Sequence, residues 1–273
     1  MKKLMIAAAA LAAGVAMADV ESANVVGYNT LEINKEYTLL AVNFEGITET
    51  GTMDIQDLFK KCDGMTTANA ASAADQIQIM HEEDGNYDYY YLSNGKAGKA
   101  STPATTDKWV CNNEGADKTV PAVRAIKSGE AFWYVSPKGK EAPYTITVAG
   151  SVMAAPNVTK EFGAQYALIG NPYPCDIPLN DGVQVINATY ANAASAADQI
   201  QIMKADGNYD YYYLSNGKAG KASTPATANK WVCNNEGADK TVPTDGVFPA
   251  SRAGWFVRIN PEAKVKFVSP IAK

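Results

Sequence analysis

Asp84-Gly-Asn86-Tyr-Asp88 recurs as Asp206-Gly-Asn208-Tyr-Asp210. Oxygen-bearing side chains at alternate positions are how a calcium loop begins. Here Tyr89 stands where such a loop needs its sixth-position glycine, and Gly95 stands where the closing glutamate belongs. The run therefore reads as a hairpin turn, with a weak calcium site (Asp84, Asn86, Asp88 and Asp206, Asn208, Asp210) as the alternative and no other metal expected. Asp88, Glu114 and Asp117 could supply the carboxylate pair of a glycoside hydrolase. Each recurs in a second copy of its segment, however, and doubled binding sites add avidity where doubled catalytic sites gain little. His81 is the only histidine, with Lys204 as its counterpart. Triad chemistry would rest on that single loop residue, and a three-histidine metal site is excluded. Lys96 to Pro103 is a polar loop of small residues without the GxxxxGK[ST] spacing that cradles phosphate. No cofactor is expected.

The aromatic residues offer binding rather than reaction. In Gln76-Ile-Gln-Ile79 the alternation turns Ile77 and Ile79 to the core and the glutamines to water. The return strand reads Tyr87-Asp-Tyr-Tyr-Tyr91-Leu92. With Asp88 assigned to solvent, Tyr90 and its counterpart Tyr212 become the exposed platforms for a sugar ring, and Tyr87, Tyr89 and Tyr91 point inward. Asn94-Gly95 reads as a second turn. The candidate ligand-binding set is Tyr90, Tyr212, Asp88, Asp210, Trp109 and Trp231, the tryptophans each following a lysine in a short strand. Trp133 and Trp255 lie in strands apolar on both faces and read as core.

The elements that must position these groups come in two sets. Ala68–Pro121 aligns with Ala191–Pro243 through three identical blocks of 13, 22 and 14 residues. Outside them the halves correspond loosely, as Ala131-Phe-Trp-Tyr-Val135 does with Ala253-Gly-Trp-Phe-Val257. Short runs rich in Val, Ile, Tyr, Phe and Trp, broken by Gly, Pro, Asn and Asp, give an all-β reading. Strands are expected at 25–31, 37–44, 76–80, 87–92, 109–111, 131–135 and 144–149. In the second half they are expected at 166–170, 199–203, 209–214, 231–233, 254–259 and 265–268. Helix is confined to a turn or two near Ile55–Lys61 and Ala68–Ala74. The expected architecture is two tandem pseudo-equivalent β-barrel or β-sandwich halves, residues 19–150 and 151–273. Near-identity of the middle segments is explained most economically by internal copying.

Residues 1–18 read as a cleaved secretory signal. Lys2 and Lys3 precede an uncharged apolar stretch from Leu4 to Val15, and Ala16-Met17-Ala18 supplies the small-residue cleavage pattern. The stretch is short for a membrane anchor, so no membrane insertion is expected after cleavage, and the protein is expected to be secreted, periplasmic or at the cell surface. Without Lys2 and Lys3, 22 of the 24 basic residues face 29 acidic ones, a net charge of −7. Nucleic acid and anionic membranes both demand clustered positive charge and are poor partners for such a chain. Export permits disulfides among Cys62, Cys111, Cys175 and Cys233. Pairing inside each half (Cys62–Cys111, Cys175–Cys233) is the expectation, with a cross-half bond or free buried thiols as alternatives.

Val26-Gly-Tyr28, Ala74-Asp-Gln-Ile77, the tyrosine hairpin, Ser128-Gly-Glu-Ala-Phe-Trp133, Thr147-Val-Ala-Gly-Ser-Val152 and the run YALIGNPYP at Tyr166–Pro174 resemble a family of uncharacterised secreted bacterial β-rich proteins. Its pattern is GY, NLIxNPxP, DxI, a Tyr-rich hairpin and GxGFW after a signal peptide. The resemblance covers most of the mature chain and departs at Val42-Asn43-Phe44, where the first half lacks the Asn-Pro. It implies export and a β fold and brings no activity. The expected function is a non-enzymatic extracellular or cell-surface structural or adhesive protein. A bivalent carbohydrate-binding protein acting on extracellular polysaccharide or envelope components is the alternative, and a polysaccharide-degrading enzyme the third reading.

Overall fold

A computed structural model describes residues 26–271 apart from 34, 47–49, 98–99, 141–142 and 220–221. The expected signal segment, residues 1–18, lies outside the described residues. The first half runs β1 (Val26–Ile33), β2 (Tyr37–Ala41), β3 (Met53–Asp54), helical turn α1 (Ile55–Leu58), β4 (Gln76–Met80), β5 (Tyr87–Ala97), β6 (Ala100–Cys111), β7 (Ala125–Ile126), β8 (Ala131–Val135) and β9 (Tyr144–Ser151). The second half runs β10 (Asn157–Lys160), β11 (Tyr166–Gly170), β12 (Ile177–Pro178), α2 (Leu179–Gly182), β13 (Val183–Ile186), β14 (Gln199–Met203), β15 (Tyr209–Ala219), β16 (Ala222–Cys233), β17 (Val247–Phe248), β18 (Ala253–Val257) and β19 (Lys264–Val268).

Each half is built on a five-stranded antiparallel sheet, in the order β2-β8-β4-β5-β6 and β11-β18-β14-β15-β16. A smaller sheet covers one face, β1-β9 in the first half and β10-β19-β13 in the second. The fold is sandwich-like, and among the described residues no sheet closes into a barrel. Alternation decides which side chains are enclosed. Leu31, Ile33, Ile146 and Val148 on β1 and β9 meet Leu40, Ile77, Ile79, Phe132 and Tyr134 of the large sheet in one core. Val183, Val265 and Phe267 meet Ile200, Ile202 and Phe256 in the other.

The outer faces of the two large sheets are also apolar in part. Leu39, Ala41, Met80 and Ala131 pack with Leu168, Met203 and Ala253, flanked by Tyr87, Trp133, Tyr209 and Trp255. This third cluster joins the halves. Trp133 and Trp255, expected in the cores, are half-buried here instead. The β4–β5 turn adds polar docking, because the Gly163 amide donates to the Glu82 carbonyl at 2.8 Å and Lys160 pairs with Glu82 at 3.3 Å. A Cβ at Gly163 would lie 1.9 Å from the Glu83 carbonyl oxygen, so only glycine admits this approach.

The hairpins β5–β6 and β15–β16 are longer than their apolar content predicts. Asn94-Gly95 is not a turn but a bulge inside β5, with register shifts on either side of Asn94 and Gly95 at φ +80°. Beyond the bulge the polar segment expected as a loop is largely strand. Buried hydroxyls hold it: Ser93 Oγ and Thr102 Oγ1 each lie 3.1 Å from Thr105 Oγ1, which donates to the Thr102 carbonyl at 2.8 Å. Ser215, Thr224 and Thr227 repeat the network. Hydroxyl pairs stabilise a strand without apolar alternation, which is why the pattern did not reveal it.

Candidate functional site

The register of the tyrosine hairpin fixes which rings face water. Gln76 pairs with Tyr91, Ile77 with Tyr90, Gln78 with Tyr89 and Ile79 with Asp88. Directly opposed residues in an antiparallel pair share a face, so Tyr90 follows Ile77 into the core. Tyr90 is 5% exposed and Tyr212 7%, and burial holds both hydroxyls well above the usual tyrosine range, Tyr212 at about 12. The expected sugar platforms at Tyr90 and Tyr212 are therefore corrected. The premise that failed was Asp88 in solvent. Asp88 lies on the core side at its rim, where Asn113 Nδ2 donates to it at 2.7 Å, His81 Nε2 lies at 3.0 Å and Arg124 Nε at 3.8 Å. Asp210 is held likewise by Asn235 Nδ2 at 2.6 Å, with Lys204 Nζ at 3.8 Å.

Trp109 and Trp231 are corrected too. Each is buried and donates its indole N–H to a backbone carbonyl, Phe59 at 2.7 Å and Val183 at 2.8 Å. Neither ring is available as a platform. The calcium alternative finds its oxygens committed: Asp84 accepts from the Asn86 amide at 2.9 Å and from its side chain at 2.7 Å, and Asp206 accepts from Asn208 in the same way. Among the described residues no group of three or more His, Cys, Asp or Glu side chains could hold a metal ion. The expected disulfides are absent as well, all four cysteines being free thiols. Cys62 points its thiol at the Thr145 carbonyl on β9, 3.5 Å away, while Cys111 lies opposite Tyr90 of β5, so different strands hold the two sulfurs.

The outer face of the hairpin carries the rings that do reach water. Tyr91 is covered by Ala68, Ala71 and Ala74, and Tyr87 packs on the cluster between the halves. Tyr89 and its counterpart Tyr211 remain 39% exposed. In the second half Tyr209 and Tyr211 stand with ring centroids 6.3 Å apart and planes tilted by 43°. They line an open groove of roughly 750 Å³ with Lys204, Asn208, Asn234, Asn235 and Glu236. The β15–β16 end fixes this arrangement, because Asn235 Oδ1 accepts the Tyr211 amide at 2.8 Å and the Asn234 amide donates to the Tyr211 carbonyl at 2.7 Å.

The first half repeats the same parts. Tyr87 and Tyr89 are 6.2 Å apart at 37°, Asn113 Oδ1 accepts the Tyr89 amide at 2.8 Å, and the Asn112 amide donates to the Tyr89 carbonyl at 2.7 Å. An aromatic face flanked by amide and carboxylate groups presents stacking surface together with donors and acceptors, which is what a pyranose ring requires. These residues escaped the sequence reading, although the pairing rule could have found them. Gln78, assigned to water, is directly opposite Tyr89.

His81 marks the difference between the halves. It lies 3.0 Å from Asp88 and 3.5 Å from Asp84, and the hydrogen bond to Asp88, with the surrounding carboxylates, raises its pKa above the ordinary 6.5. A raised folded-state value means stabilisation fully present below the unfolded value and lost as pH rises through the folded one. The His81 contribution to urea stability is therefore expected to be lost as pH rises past 6.5 through the raised folded-state value, and His81→Gln is expected to remove that component of the slope. An unchanged slope in the variant would remove His81 from the account. The cleft that His81 shares with Glu82, Glu83, Arg124, Lys127, Glu130 and Lys160 has no hydroxyl or thiol among these lining residues for it to activate.

Family models, known proteins and solved structures compared with this chain give no match.

Proposed function

We propose that the chain is an exported, non-enzymatic adhesive module that holds carbohydrate at two tyrosine-amide faces, the one in the second half set in an open groove. The observation that carries this reading is the pairing of an exposed tyrosine with the same amide frame in both halves: Tyr211 with Asn234 and Asn235, and Tyr89 with Asn112 and Asn113. Sugar rings stack on such faces while their hydroxyls bond to amide and carboxylate side chains. Each contact is weak, and two grooves in one chain convert weak contacts into retention on a polymer. Extracellular polysaccharide is the partner this chemistry fits, and the signal-like N-terminus agrees with that address.

The test is retention on a panel of insoluble polysaccharides followed by competition. A soluble oligosaccharide of the matching polymer is expected to release the bound protein. Retention that no soluble sugar reverses would reject the carbohydrate reading and leave a purely structural role.

A further inference from the structure

A second cluster, away from the grooves, carries different chemistry. Asp75 is fully buried between the 3-10 turn Ala71–Ala73 and β4. Its Oδ2 accepts from Lys140 Nζ at 2.8 Å and from the Thr66 amide, and its Oδ1 accepts from the Tyr144 hydroxyl. Lys140 is itself only 15% exposed and sits 3.8 Å from the centroid of the Tyr144 ring. Ser136 Oγ lies 3.0 Å from the Tyr144 hydroxyl, and Gly64 at φ +93° lets the backbone press against the Tyr144 side chain, where a Cβ would come within 2.6 Å of Tyr144 Cβ and 2.9 Å of the ring.

The second half supplies the comparison. Its equivalent buried aspartate, Asp198, accepts the Thr189 and Ile259 amides at 2.7 Å each and has no lysine partner among the described residues, Arg258 being its nearby cation. Holding the chain therefore needs no lysine at this position. The lysine, the tyrosine and the serine are additions confined to the first half.

We propose that Lys140 and Asp75 are a modification site at which the two side chains condense into an intramolecular amide. The ion pair already holds the amine against a fully buried carboxyl group, the proximity that makes an otherwise slow reaction unimolecular. One proton passes from the Lys140 ammonium to Asp75 Oδ2, the freed Nζ lone pair attacks Cγ, a second proton then passes from the attached nitrogen to Oδ2, and the Cγ–Oδ2 bond breaks. Oδ2 leaves as one water, and the remaining N–H becomes the amide N–H. Oδ1 stays as the amide oxygen and keeps the Tyr144 hydroxyl as its donor, which stabilises the charge developing there during attack. No oxidant or cofactor is consumed. The product would tie the start of β4 to the turn after β8, 65 residues apart, and so restrict the unfolded chain as a disulfide does.

The test is intact-mass spectrometry and tryptic mapping of the denatured full-length protein beside Lys140→Arg, which keeps the charge and cannot form the bond. The wild type is expected to weigh one water less than its sequence, with trypsin failing to cut after Lys140 and the Lys140 peptide joined to the one containing Asp75. The variant is expected at its full sequence mass. A wild type at full mass, cut after Lys140, overturns the proposal, and that result does not depend on how the variant folds. Tyr144→Phe is expected to lower the cross-linked fraction; an undiminished fraction would overturn the role given to its hydroxyl.

Discussion

Trp231→Ala is expected to destabilise the protein by about 3–5 kcal/mol, the range for removing a large buried aromatic. The ring is 2% exposed and touches the core of the second half from near the C-terminal end of β16. Its indole N–H also donates to the Val183 carbonyl at 2.8 Å, so the residue tethers β13 as well as filling volume. Trp231→Phe separates the two contributions. It restores much of the apolar volume but leaves the Val183 carbonyl without its indole donor, a loss of about 1–3 kcal/mol for a buried acceptor. The urea midpoint should therefore fall in the order wild type, Phe, Ala. Sugar binding by the folded fraction should not change, because neither ring surface is presented to solvent.

Loss of either exposed tyrosine is expected to have its largest effect on a polymer. Tyr211→Ala or Tyr89→Ala leaves one groove of two, and retention on immobilised polysaccharide should then fall by roughly 10²–10⁴, the usual span of an avidity gain. On a short soluble oligosaccharide, which cannot bridge the grooves, each single substitution should halve the number of sites without altering the affinity of the one that remains. The double variant should bind neither form. A fall that is equal for polymer and oligosaccharide would mean that the grooves do not act together.

What sequence reasoning could and could not see follows from how each residue declares its environment. Gln76–Met80, which alternates, and Ala131–Val135, apolar on both faces, have the composition of strands and form at those bounds. Local alternation inverts the tyrosine run because one charged residue, Asp88, signals solvent by its type alone. In a short strand a carboxylate can lie at the core rim when a histidine, an asparagine and an arginine converge on it, and those partners are 7, 25 and 36 residues away in the chain. Local alternation carries no information about partners at that distance. The same holds for the β5–β6 extension, whose stability rests on hydroxyl pairs, and for Asp75 with Lys140, separated in the chain by four of the five strands of the large sheet. Pairing within the hairpin was accessible, and using Gln78 rather than Asp88 to set the face would have selected Tyr89.

Calorimetric titration with a soluble oligosaccharide of the retained polymer, comparing wild type, Tyr211→Ala and Tyr212→Phe, tests the assignment most directly. The two positions are adjacent in sequence and lie on opposite faces of one strand, Tyr211 half-exposed on the outer face and Tyr212 in the core. Two sites per chain in the wild type, one in Tyr211→Ala and two in Tyr212→Phe would support the grooves as described. Two sites retained in Tyr211→Ala, or a site lost in Tyr212→Phe, would contradict them.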